Sequence, residues 1–186
     1  MRLSELAARF QGRRGQSVVE FALVLPLMVV LMVSIIDLAR IYTTTLTIES
    51  AAREAADFGT FGSYRWDPAV VTATDGTEAK MRYRACVAAS DLPDYEGPDD
   101  NCVNPAFDYD LSTDKGATWV EDFDGSLGCD NPTKDPPCWV RVTLEYDFRL
   151  LVPFQLEAFG TQFGLPQTLT FARSSIFAMT DLELGP

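Results

Sequence analysis

Gly15-Gln16-Ser17-Val18-Val19-Glu20-Phe21, running without a break into the apolar stretch Ala22 to Ile36, decides how the rest of this chain is read. Ahead of it lies a short basic segment, with Arg2, Arg9, Arg13 and Arg14 against the single acid Glu5. The apolar run is of a length that enters a membrane, and Glu20 stands at its mouth. A carboxylate in that position is costly unless something pairs with it.

Outward from this stretch the charge changes sign. The 186 residues carry a formal net charge of -12, and once the first fifteen are set aside 11 basic and 26 acidic side chains remain. Such acidity argues against a nucleic-acid partner, because phosphate binding needs clustered Lys and Arg. Histidine is absent, which removes the commonest general base and metal ligand and lowers the expectation of an enzyme. The length allows one modest domain plus an extension.

Three readings compete for residues 1–36. A cleaved secretory signal needs an apolar core of about 7 to 15 residues and a small-residue cleavage site. Phe21 to Ile36 instead passes into Asp37-Leu38-Ala39-Arg40 and a continuing helical pattern, which disfavours that reading. A plain signal anchor fits better. Phe21 to Ile36 reaches ~24 Å as a helix, and extension through Ile41 with local thinning closes the gap to a ~30 Å hydrocarbon core. Arg13 and Arg14 then hold the amino end in the cytoplasm with the bulk of the chain outside. The third reading also accounts for Glu20. The spacing of Gly15, Gln16, Glu20 and Phe21 resembles the type IV prepilin processing pattern, in which a basic leader ending in glycine is removed and the apolar helix stays on the mature protein. The bland alternative leaves Glu20 among the lipid headgroups. Pro26, inside the run, kinks the helix.

Beyond the run, Leu38, Ile41, Thr45, Ile48, Ala52, Ala55 and Gly59 recur at helical spacing, and the helix is expected to stop between Gly59 and Gly62. Residues 45–60 are expected to pack on their own domain. The alanine-rich upper part could instead pack on copies of itself, since small residues let helices approach closely.

The four cysteines, Cys86, Cys102, Cys129 and Cys138, lie in polar stretches past the apolar run and read as disulfides of an oxidising compartment. Of the three connectivities we favour the sequential pairs. Thr77 to Ser90 predicts a short helix and Asp91 to Asn104 a loop. Asp108 to Val120 predicts a hairpin turning at Asp114 to Gly116. Its Ser112-x-Asp114-x-Gly116-x-Thr118-Trp119 resembles an Asp-box, which in one copy is a turn motif. Asp122 and Asp124 with Asp130 nearby invite a calcium reading, but the further ligands of a calcium loop are missing and a solvated acidic loop is favoured. No cofactor is expected.

Trp139 to Phe148 alternates strictly and predicts a half-buried antiparallel strand. Thr168 to Met179 predicts a second strand, out of phase near Arg173-Ser174 at a bulge. Between them Leu150 to Leu165 reads as a greasy loop beneath the sheet, against a surface lying on the membrane or a partner.

Taken together, Gly15 to Pro26, Ala51-Ala52-Arg53-Glu54-Ala55-Ala56, Val142 to Phe148 and Leu169 to Ser175 resemble the TadE-like family, minor pilins or pseudopilins of the tight-adherence (Tad) pilus system. The resemblance implies an α+β, pilin-like fold: a leader over 1–15, a transmembrane and extended helix over 16–62, and an extracytoplasmic domain with a small antiparallel sheet over 63–186. It implies a structural protein of the cytoplasmic membrane or the extracellular pilus, cut after Gly15 by a prepilin peptidase. Gln16 and Glu20 would make the assembly contact. Other Tad pilins and minor pilins, the inner-membrane assembly platform and the lipid membrane would be its partners, and pilus assembly or initiation and surface adherence its task. The rivals are an uncleaved, signal-anchored extracytoplasmic binding or adhesion domain and a membrane-tethered hydrolase; the hydrolase lacks both a histidine and a nucleophile motif.

Overall fold

The structure, a computed structural model, describes residues 16–60, 77–121, 127–129, 135–151, 155–158, 161–164 and 166–179. Gly15, residues 66–75, and the acidic pair Asp122 and Asp124 fall outside the described residues. Helix α1 (Gln16–Gly59) is one uninterrupted helix of 44 residues, with Pro26 inside it. At 1.5 Å per residue it is ~66 Å long.

Two environments divide α1. Among residues 16–36 every side chain is exposed except Val33, which is half-buried. From Asp37 upward one face is covered: Asp37, Thr44, Ile48, Ala51, Ala52, Ala55, Ala56 and Gly59 are buried. The expected stripe therefore holds at its upper end and is displaced at its lower end. Leu38 is 66% exposed, and Asp37 and Thr44 take the inward positions assigned to Leu38 and Thr45. Apolarity misplaced the stripe there because the group that faces the domain is a carboxylate. The fully buried alanines pack on their own domain, so they do not serve contacts with other copies.

Thr77–Ala89 forms the short helix α2, which lies along the upper part of α1. Its Met81 reaches Gly59 so closely that a Cβ there would stand 2.9 Å from Met81 Sδ and 3.4 Å from Val140 Cγ2. Glycine at the end of α1 thus allows helix, helix and sheet to meet at one point.

Strands β1 (Ala106–Ser112), β2 (Trp139–Arg149) and β5 (Thr168–Ala178) make an antiparallel sheet in the order β1-β2-β5. Alternation places Val140, Val142, Leu144, Tyr146 and Phe148 of β2 in the core, all 0% exposed. The β2–β5 register runs unbroken from Trp139↔Ala178 to Arg149↔Thr168, so β5 contains no bulge. Arg173 keeps the inward parity, opposite Leu144, yet is exposed. An edge strand only partly covered by α1 can hold an arginine there, and that is what disturbed its alternation.

Two further expectations change. The hairpin predicted over 108–120 has a full strand only on its first side, and its return is a single bridge, Leu111↔Val120. β1 finds its partner in β2 instead. The segment read as a loop beneath the sheet contains a hairpin, β3 (Gln155–Ala158) against β4 (Thr161–Gly164), with Leu156 and Phe163 in register.

The cysteines pair sequentially, Cys86 with Cys102 and Cys129 with Cys138. The first bond closes the loop after α2, which is also stitched to β2: Asn104 Nδ2 donates to Asp147 O at 3.0 Å, and Asp94 N donates to Tyr146 Oη at 2.9 Å.

Because Ala55 is fully buried where α1 meets the core, Ala55→Leu is expected to destabilise the folded domain by about 1–3 kcal/mol through overpacking. Exposed Arg53→Ala should change it by less than about 0.5 kcal/mol. Denaturant unfolding of the detergent-solubilised protein measures both.

Candidate functional site

The amino-terminal arm of α1 carries few polar groups among its apolar side chains. Gln16 Nε2 donates to Glu20 Oε1 at 3.0 Å, one helical turn apart, and among the described residues this is the only hydrogen bond to the Glu20 carboxylate. Ser34 satisfies its hydroxyl internally by donating to Val30 O at 2.8 Å. Phe21 is exposed beside Glu20. The arm therefore presents one carboxylate on an otherwise apolar surface.

Where the arm meets the domain, three contacts fix it. Asp37, 7% exposed, accepts the backbone N–H of Leu151 at 3.2 Å and pairs with Arg40 Nη1 at 3.2 Å. The Arg40 guanidinium lies over the Phe148 ring, 4.8 Å from its centroid. A carboxylate with two donors is tolerable in a buried setting where a bare one would not be. Sequence reasoning passed over this clamp, although Asp37 at the end of a long apolar run was a visible signal for it.

Ser112 and Asp114 form a self-contained turn. Asp114 accepts from the Thr118 N–H at 2.8 Å and from the Thr118 hydroxyl at 2.7 Å, and the Gly116 N–H donates to Ser112 Oγ at 2.9 Å. The backbone takes a positive φ at Lys115 (62°) and Gly116 (87°). The Asp114 carboxyl is held down to about 2, first by the Thr118 backbone N–H and then by the Thr118 and Ser112 hydroxyls. Beside the turn, Arg141 bonds Asp110 Oδ2 through Nε at 2.9 Å and Nη2 at 2.6 Å, and lies 4.5 Å from the Trp119 ring centroid. Every one of these groups is engaged locally, so the element is structural. Among the described residues no group of three or more His, Cys, Asp or Glu is placed to hold a metal.

The candidate site is thus the arm and its clamp. α1 is long and apolar enough over its arm to cross a membrane. The family model described as TadE-like protein matches residues 15–57, a span running from Gly15 through the arm and Asp37 to the alanine-rich face of α1. The strands over 142–148 and 169–175, which also carried the resemblance, lie beyond that match. No curated protein and no solved structure matches the chain.

Two outcomes test this geometry. Asp37→Ala leaves the Leu151 N–H and the Arg40 guanidinium without their acceptor, and should cost about 1–3 kcal/mol and speed amide exchange at Leu151. The folded Asp114 value lies below its ordinary 3.8, so the stability it supplies is present above 3.8 and is lost as pH falls toward about 2. The stability difference between the native protein and Asp114→Asn should therefore shrink across that window in acid unfolding curves.

Proposed function

We propose that this chain, TadE-like over residues 15–57, is a minor pilin or pseudopilin of a Tad pilus. It is made as a precursor, cut after Gly15 on the cytoplasmic side by a prepilin peptidase, and held in the cytoplasmic membrane by the arm of α1 with the acidic domain outside. Its role is structural: it serves pilus assembly or initiation, and surface adherence.

One observation carries the reading: the arm stands clear of its own domain and bears a single carboxylate five residues past Gly15. Were α1 only an anchor, a charge at that depth would be a cost without return. Removal of residues 1–15 would create a main-chain ammonium on Gln16. The same amine on a neighbouring subunit is a partner of the sign and size that Glu20 lacks. Opposite charges attract strongly where the dielectric is low, so the pair would set the axial register of one helix against the next. Before assembly, the Gln16 side-chain amide holds the carboxylate in place.

Gly15→Ala should leave an uncut precursor, visible as a larger protein on electrophoresis, and a normal-sized product would refute the leader. Glu20→Ala should be cut normally yet yield few pili by electron microscopy. Wild-type pilus numbers in that variant would refute the register role.

A further inference from the structure

We infer that the base of the outer domain is a lipid-contacting surface, with Leu38, Tyr42 and Leu151 resting in the headgroup layer of the outer leaflet. This inference rests on the membrane reading of the α1 arm and adds to it an orientation for the domain.

The exposed arm, residues 16–36, spans ~31 Å as a helix, which matches a ~30 Å hydrocarbon core. It ends at Asp37, and there Leu151 is bonded directly to the helix, so the end of β2 lies at the level where hydrocarbon would stop. Val33, one turn lower, is half-buried and the rest of the arm is exposed. No linker separates membrane and domain. Leu150 N donates to Gln167 O at 3.1 Å, so the chain leaves the sheet toward β3 and returns from β4 at this same base.

Three apolar side chains around that level are uncovered, beside the exposed polar Arg149 and Gln167. Leu38 is 66% exposed, Tyr42 65% and Leu151 57%. On α1, Leu38 and Tyr42 are four residues apart and lie on one face. They stand ~2 Å and ~8 Å beyond Asp37 along the axis, within the headgroup layer that adds roughly 5–7 Å to each side of the hydrocarbon core or at its outer margin. An aromatic ring with a polar tip favours that zone. In water these three would be an unexplained greasy collar at the foot of a strongly acidic domain. Against headgroups they are matched, and they fix the tilt of the domain on the membrane.

The test uses the full chain reconstituted in phosphatidylcholine vesicles, with photoreactive p-benzoylphenylalanine placed singly at Leu27, Tyr42, Leu151 or Ile176. Mass spectrometry then identifies the adducts formed on irradiation. The inference predicts lipid adducts at Tyr42 and Leu151 comparable with those at Leu27, and none at Ile176 on β5. Lipid adducts at Leu27 with none at Tyr42 and Leu151 overturn the inference while leaving the membrane arm intact. Adducts at Tyr42 and Leu151 to protein rather than lipid overturn it as well. Absence of a lipid adduct at Leu27 overturns the membrane reading, and this inference with it.

Discussion

Asp37 stands where a single helix changes environment. Below it every side chain of α1 is exposed except the half-buried Val33; above it one face of the same helix is buried against the domain. Its carboxylate is satisfied by the Leu151 N–H and Arg40, and Arg40 in turn lies on Phe148. These contacts tie the end of β2, through Phe148 and the following Leu151, to the helix at one height. A buried carboxylate is worth keeping only if its donors are in place, so the interaction acts as a registration point between helix and sheet rather than as bulk stabilisation.

From that point upward the packing follows from side-chain size. Ala51, Ala52, Ala55 and Ala56 let the helix lie close to the sheet, where the larger Val140, Val142, Leu144, Tyr146 and Phe148 fill the space. Gly59 does the same for Met81 at the top. The Cys86–Cys102 bond and the hydrogen bonds of Asp94 and Asn104 hold the following loop against β2, so this long connection is fastened to a sheet that has three strands among the described residues.

Much of this is legible in the residues, and the failures share a cause. Strict alternation in Trp139 to Phe148 requires β2, and helical spacing through Ile48 to Gly59 requires a packed helix. Both signals are strong because each face meets one environment. At the foot of α1 the inward group is the polar Asp37, so a rule that looks for apolar residues chose Leu38 instead. In β5 an inward arginine on a partly covered edge strand imitated a bulge. Whether β1 pairs with Val120's arm or with β2 depends on contacts distant in sequence, which local turn chemistry at Asp114 cannot reveal. The Gly15-to-Phe21 stretch is the opposite case: on the proposed reading its meaning lies in chemistry done to the chain, so its spacing carries the signal and no contact within the fold does.

An apolar arm, a lone carboxylate and a hydrogen-bonded joint to an acidic domain make sense together if Glu20 meets a newly made ammonium. The most direct measurement is amino-terminal sequencing of the native protein extracted from the membrane. A sequence beginning Gln16-Ser17-Val18-Val19-Glu20 is predicted. A sequence beginning at Met1 would contradict the account and leave α1 as a plain anchor.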